Sequence, residues 1–495
     1  MPATVPITAF SGAAPPWSLL ALDGNFTAIQ SALANPQIGV SVTSDSGGVN
    51  ALIATPTPAW PSYVSGTPIT VIPANTNTGN VSLNVSGLGA RSVLNPDGSQ
   101  LLPGALQAGT PYLFMTGTST FVLLGSSLVQ ATQGPGGTPF ALRNRLIDGD
   151  FRVDQRNAGG TVAVNNTNSY TMDRWQSYCG LGVGTGLLNV TRINFLGPGG
   201  GNPYAYQGAV GTAKASLSAG DFCLVRQAIE GLNIADLLFG TSSAKAITIS
   251  FTFVTSIANA VLPVVIRNGS QNRSYVTSIT TGTAGTAGRY SVTIPGDTTG
   301  TWATDNTIGL DLIFNWGSGS TFQVTANTWS AGNFLTVSGA TNFMGSVSNT
   351  WQLTDVQLEA GPVATPFERI GFDMQLARCM RYYEKSFDYA TAPAQNAGPS
   401  GCVRWSQTLT AVQSQGGNNI LFKVTKRIDP PIGTFLLYNP SAANGQPRNE
   451  SIGADCSGAG LFSIGQNSAN VVFTTAAASA QGQSIAVHWV ADAEL

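Results

Sequence analysis

Three stretches of strict alternation constrain this chain more than any other feature. In "AITISFTFV", Ile247, Ile249, Phe251 and Phe253 fall on one side while Thr248, Ser250 and Thr252 fall on the other. "RYSVTIPG" repeats the pattern with Tyr290, Val292 and Ile294, and "TIGLDLIFNW" with Ile308, Leu310, Leu312 and Phe314. A period of two puts alternate side chains on opposite faces of a strand. Each strand therefore has one buried and one wet face, and Gly, Asn and Pro turns bound it. That combination predicts an antiparallel sandwich, here over residues 144–368. A sandwich of that length is within the usual range for one all-β domain.

The 495 residues leave room for further domains on either side. Only 9% of the residues are charged, against the roughly 25% usual for globular chains, and 58 are glycine. Ser, Thr, Asn and Gly must therefore meet the water, as they do in extracellular β-structure and fibres. The net charge of -2 and the lack of a basic run argue against a nucleic-acid partner. No apolar run reaches the roughly 18 residues of a membrane helix, so no membrane insertion is expected. "MPATVPITAF" has neither a positive n-region nor an apolar h-region, so no secretory signal is expected. A composition suited to the outside of a cell, without an export signal, points to a chain assembled in the cytoplasm and released by lysis. The five cysteines are scattered and contain no CxxC, which predicts buried free thiols rather than a zinc site or a disulfide scaffold.

Residues 1–40 read as a helical attachment segment. Leu19, Leu22, Phe26, Ile29 and Leu33 recur at spacings of three and four, and Asn35-Pro36 ends the run. Two heptads are marginal in water. The seam pairs with other chains or a socket, or else packs on the neighbouring domain. Residues 41–128 read as a small β domain of short strands, including "VSLNVSGLGARSVLNPDGS" and "GTPYLFMTGTSTFVLLG". Residues 129–143 read as a Gly/Pro linker.

Residues 351–386, "WQLTDVQLEAGPVATPFERIGFDMQLARCMRYYEKS", gather an unusual share of the few charges. Val356 and Leu358 share a parity that Leu353 does not, so a bulge or two-sided burial is required near Thr354-Asp355. Gln357 and Glu359 are expected to point outward. Beyond Gly361 and Pro366, Phe372, Leu376, Cys379, Met380 and Tyr383 form one stripe of a connecting helix, assigned to 369–387. Asp373 and the pair Arg381 and Lys385 suit its two ends. These charges read as decoration on a solvated or interchain helix, with a structural role.

"LTDVQLEAGPVATPFE" followed by "RCMRYYEKS" resembles a signature of tailed-bacteriophage tail fibre proteins. In that family a jelly-roll similar to a carbohydrate-binding module closes on such a strand and helix. "RNRLIDGDFRVDQRNAG" and "YTMDRW" look like the opening of the same domain. The resemblance covers roughly 143–386. It implies a trimeric virion fibre, anchored through its N-terminus to other virion proteins of the tail or baseplate. Such a fibre would act extracellularly by binding a host surface glycan. Similar sugar-binding jelly-rolls hold a structural calcium ion. Asp150 and Asp355 are two candidate ligands, too few to establish a site, and no metal or other cofactor is expected.

Residues 388–495 read as a C-terminal β domain with long polar loops, suited to a receptor-binding tip. Tyr438, Asn439, Arg448 and Asn449 offer an aromatic face with hydrogen-bonding groups, and Trp316 and Trp329 are further candidates for stacking on a sugar. No catalytic residue is nominated. The sole histidine, His488, has no readable Asp/Ser arrangement around it, and no motif selects the two carboxylates a glycosidase needs. The expected function is therefore adhesion. The alternatives are a tailspike-type enzyme that degrades the glycan, or a head-attached fibre or structural spacer.

Overall fold

The computed structural model describes residues 41–96, 98–101, 103–124, 142–182, 187–195 and 203–495. The N-terminal seam and the Gly/Pro stretch Gln130–Phe140 lie outside them. The chain divides into two compact units, residues 1–140 and 141–495.

In the first unit, seven short strands form one sheet: β1 (Ser41–Ser44), β2 (Ala51–Ala54), β3 (Pro68–Ile72), β4 (Ser82–Val85), β5 (Arg91–Leu94), β6 (Tyr112–Thr116) and β7 (Phe121–Leu124). The order is β1-β3-β6-β7-β5-β4-β2. Alternate residues such as Ile69, Val71, Leu83, Phe114 and Phe121 are fully buried on one side. Three pairings, β1 with β3, β2 with β4 and β5 with β7, are parallel.

The second unit opens with the sandwich. Its strands are β8 (Val162–Val164), β9 (Ser169–Met172), β10 (Trp175–Gly180), β11 (Leu188–Asn194), β12 (Tyr204–Val210), β13 (Phe222–Glu230) and β14 (Ile247–Thr255), then β15 (Val261–Asn268), β16 (Arg273–Thr280), β17 (Gly288–Ile294), β18 (Ile308–Ser318), β19 (Trp329–Ala331) and β20 (Thr350–Ala360). One sheet runs β19-β16-β15-β18-β13-β10-β9 and the other β17-β14-β20-β12-β11-β8. The inward residues behave as their period requires, but the opposite face is not wet throughout: Thr248, Ser250, Asp311, Ile313 and Asn315 are buried as well. Ile247, Ile249, Phe251 and Phe253 meet Leu310, Leu312 and Phe314 in one core, all fully buried. The phase slip in β20 is a bulge: Ser250 pairs with Gln357 but Thr252 with Thr354, and Asp355 takes a left-handed φ of 51°. Leu353, Val356 and Leu358 all reach the core because of it.

Helix α1 (Phe372–Met380) is shorter than expected, and its stripe is different. Gln375 and Cys379 are buried while Phe372 and Met374 are exposed. The chain then enters a strand, so Tyr383 belongs to β21 (Tyr383–Lys385). The rest of the C-terminal region comprises β22 (Val403–Ser406), β23 (Ser414–Leu421), β24 (Phe435–Tyr438), β25 (Arg448–Asn449), β26 (Ala454–Asp455), β27 (Ser457–Phe462), β28 (Ser468–Thr474) and β29 (Ser484–Asp492). Around β29 gather β21, β22, β24 and β25, while β23-β28-β27 form a separate three-stranded sheet.

Arg369 and Asp373 are exposed, but the other charges of 351–386 are not solvated decoration. Glu384 and Lys426 form an ion pair, both fully buried. Lys385 donates to the carbonyls of Gln155, Tyr389 and Thr391 at 2.7, 3.0 and 2.6 Å, and burial pulls its pKa down to about 8. Glu359 is buried too, and with Gln357 it holds the segment at Thr365. The reason is topological: the helix and β21 lie between the sandwich and the C-terminal strands, where side chains at its surface find partners on both sides. Arg174 of "YTMDRW" stacks over Tyr382 at 3.5 Å, and Arg156 of "FRVDQR" stacks over Tyr383 at 3.8 Å. Both arginines also pair with Glu494, and Arg156 with Asp492. The separate sequence motifs are thus one physical junction.

Two cysteines depart from the free-thiol expectation. Cys179 and Cys223 are directly opposed across β10 and β13 and joined as a disulfide, while Cys379, Cys402 and Cys456 are free. A separation of 44 residues gives no hint of that register. Among the described residues no helix is long and apolar enough to cross a membrane.

Candidate functional site

The outer face of the β17-β14-β20-β12-β11-β8 sheet is polar because its residues are the wet half of the alternation. Val254 lies opposite Gln352, Gln352 opposite Gln207, and Gln207 opposite Thr191. The row reaches β8's edge, where the Thr191 and Thr161 hydroxyls are 2.8 Å apart. At this end of β14 and β20 an open cleft of about 570 Å³ is lined by Phe195, Val254, Thr255, Ser256, Gly285, Thr286, Ala287, Thr350, Trp351 and Gln352. That volume is in the range of small-ligand sites.

The cleft is built by local structure. The β16–β17 loop is held over it because the Gly285 amide donates to the Thr255 carbonyl at 2.7 Å. The Thr350 amide donates to the Ser256 hydroxyl at 3.0 Å, closing the far side. Thr286, Ser256 and Thr350 are exposed, Gln352 and Val254 partly so, and Phe195 and Trp351 are buried. No lining residue is ionisable. Arg289, two residues beyond Ala287, is occupied by the Asp355 carbonyl at 2.6 Å and the Ser250 hydroxyl at 2.7 Å. The arrangement offers an apolar wall with hydroxyl and amide groups, and it holds no acid–base pair.

The residues nominated from sequence lie elsewhere, and several are corrected. Trp316 is fully buried, stacked on Phe253 at 6.1 Å and packed against Trp351 at 4.8 Å, so it fills the sandwich core and cannot meet a ligand. Asn439 is buried, its side chain spent on Asn444 and the Ser441 amide. Asn449 is buried with Gln483 and Ser479. Polar side chains in those loops satisfy their own backbone turns first. Arg448 pairs with Asp455 at 2.7 Å. Tyr438 is half-buried against Phe387 and lies opposite His488 on β29, and Arg448 lies opposite Ala486; with Asn439 and Asn449 both buried, the four do not form one accessible surface. Trp329 is partly exposed. Its ring meets Phe239, Tyr275 and Trp302 edge to face, and its Nε1 donates to the Pro295 carbonyl at 2.8 Å.

His488 is buried, stacked on Phe387 at 3.9 Å, with Nδ1 2.9 Å from the Ser386 hydroxyl and Nε2 3.0 Å from the Gly398 carbonyl. Burial lowers its pKa and so favours the neutral ring. Asp148 and Asp150 are buried carboxyls with raised pKa values, burial being the main cause for both. Asp150 lines a hollow of about 10 Å³ with Asn144, Arg152, Glu368, Gln375 and Arg378, room for one water and not for a sugar. The calcium candidates Asp150 and Asp355 do not by themselves fit that ion, which takes six to eight oxygens. Asp150 faces the Arg152 guanidinium at 2.5 Å, and Asp355 faces Arg369 at 3.7 Å. Among the described residues, no cluster of three or more metal-binding side chains is present.

The cleft residues escaped the sequence reading because they come from four separate segments. The available signal was small: Val254 and Gln352 are the bulkier groups on the wet face of their strands.

No family model matches the chain, and no curated protein matches it. Among solved structures, the enzymatically active domain of tailspike protein 4 from bacteriophage CBA120 is 12% identical with a TM-score of 0.24, over 44% of this chain and 21% of that one. The chain therefore spans about a fifth of that protein's length. A carbohydrate-binding module, TmCBM61, in complex with β-1,4-galactotriose is 8% identical with a TM-score of 0.23, over 44% of this chain and 99% of the module. The CBM22-1 xylan-binding domain from Paenibacillus barcinonensis is 8% identical with a TM-score of 0.21, over 43% and 99%. No family assignment follows from likenesses this remote.

Proposed function

We propose that this chain is a virion fibre protein that adheres to a bacterial host by holding a surface glycan in the cleft of its sandwich. The observation that carries the reading is the cleft itself: about 570 Å³, with the partly exposed Val254 and Ala287 as its accessible apolar groups and only hydroxyl and amide groups as polar partners. A sugar ring has an apolar face and a rim of hydroxyls, and such a site matches both. The motif resemblance over 143–386 supports a fibre, as does a composition that exposes Ser, Thr, Asn and Gly rather than charge.

In this reading the protein is a homotrimer, joined to other virion proteins through residues 1–40, made in the host cytoplasm and active outside it. Three copies convert weak single-site binding into firm attachment. The role is adhesive rather than enzymatic. The test is to incubate the full chain with a panel of purified capsular and lipopolysaccharide glycans. Retention of one of them without new reducing ends supports adhesion. New reducing ends replace it with a tailspike-type hydrolase, and no retention of any glycan refutes it.

A further inference from the structure

The outer face of the β23-β28-β27 sheet carries an aromatic that nothing in the fold uses. Phe462 is 54% exposed at the end of β27. Its ring lies back over Gly460, where a β-carbon would fall 3.0 Å from the ring edge, so it rests on the strand with its other face open. Asn470 lies opposite Phe462, and Asn419 opposite Asn470, giving one row across three strands. The adjoining row pairs Leu421, 72% exposed, with Ser468. On the other side Val472 lies opposite Gly460, and Gly416 also approaches it, its β-carbon position 3.5 Å from the valine. Two glycines flanking one valine leave a shallow trough beside the ring.

We propose that this face is a second saccharide-contact platform, in which a neutral pyranose stacks on Phe462 and its hydroxyls meet Asn470 and Asn419. The outward positions of the three strands contain no Asp, Glu, Lys or Arg, so an anionic sugar finds no counter-charge there. Asn419 is exposed at the end of the row, so its amide is open to a ligand hydroxyl. A second copy of the chain is the poorer occupant. Phe462 and Leu421 are the only large exposed apolar groups on the face, and a stable protein contact needs about 1,000 Å². The platform does not rest on the cleft, which belongs to a different sheet.

The experiment is affinity electrophoresis of the full chain in gels containing galactomannan, mixed-linkage β-glucan, dextran or polygalacturonate. A Val254→Glu background places a charge in the cleft and leaves the platform to be read alone. At least one neutral polysaccharide should still retard that protein, and polygalacturonate should not. Phe462→Ala should weaken the retardation more than about tenfold, Asn419→Ala should weaken it less, and Phe462→Trp should restore it. Each variant is checked for an unchanged melting temperature, which the exposure of both side chains predicts. Retardation equal to the parent in Phe462→Ala overturns the proposal. So does the absence of retardation by every neutral polysaccharide, or a sedimentation shift in Phe462→Ala that marks the face as a contact between copies.

Discussion

The indole of Trp351 lies over Gly208, its neighbour across β12 and β20, so closely that a β-carbon there would fall 2.4 Å from the ring. Trp351 also borders the cleft at the start of β20, which makes this glycine a link between core packing and the site. Gly208→Ala should push Trp351 off its place. Overpacking of this kind costs about 1–3 kcal/mol. Urea denaturation should show the loss, and glycan affinity should fall with it.

Within the cleft, Gln352→Ala and Thr286→Ala should each remove one neutral hydrogen bond to a bound glycan. The expected loss is about 0.5–1.5 kcal/mol, or roughly twofold to tenfold in Kd. Calorimetry should find it without a change in melting temperature.

Because no ionisable group lines the cleft, affinity should be nearly flat with salt. A change of less than about twofold is expected between about 50 and 500 mM NaCl. A steep fall would place recognition on a charged surface instead.

Glu230 is buried, and burial by itself would raise its pKa. Hydrogen bonds from Arg381, 2.9 Å to each carboxylate oxygen, and from Tyr382 outweigh that and hold the carboxyl below its ordinary value. Arg381→Ala should therefore destabilise the fold by roughly 3 kcal/mol, the low end for a broken buried pair, since a third of Arg381 remains in solvent. Adding Glu230→Gln should recover much of the loss.

Asp173, fully buried, has its pKa raised to about 6, first by burial and then by the nearby Asp154 charge. A carboxyl raised above its unfolded value favours the fold while protonated, and that contribution is lost as pH rises from about 4 through 6. Stability of the native chain relative to Asp173→Asn should fall by roughly 3 kcal/mol over that window. His488 has the opposite sign. Burial favours its neutral ring, so the unfolded chain gains the proton first and stability falls as pH drops below about 6.5. Paired melts of Asp173→Asn and His488→Gln across pH 4–8 should separate the two slopes.

Light scattering should return a particle of three times 51.1 kDa at micromolar concentration if the Leu22–Phe26–Ile29–Leu33 seam pairs between chains as the fibre resemblance implies. A 51.1 kDa particle would exclude the trimer.

The alternation of residues 246–254, 289–296 and 307–316 was enough to place the sandwich and its inward residues, because pleat geometry ties parity to face whatever the neighbours are. The bulge at Asp355 was legible for the same reason: Leu353 and Val356 can both be buried only if the phase slips. Parity says nothing about what covers a face. Glu359, Glu384 and Lys385 looked like surface charges until the chain folded back and buried them against partners more than two hundred residues away in some cases, as with Lys385 and Gln155. The nominated sugar ligands failed similarly: Trp316 has the right chemistry but the inward parity of Phe314, Asn439 spends its side chain on its own turn, and Asn449 is buried against Ser479 and Gln483. Composition and local period thus determined the class of fold and the uncharged surface. Which uncharged residues form a cleft was decided by strand register, which brings Val254 and Gln352 side by side from segments about a hundred residues apart, and register is set by long-range pairing that no local pattern encodes.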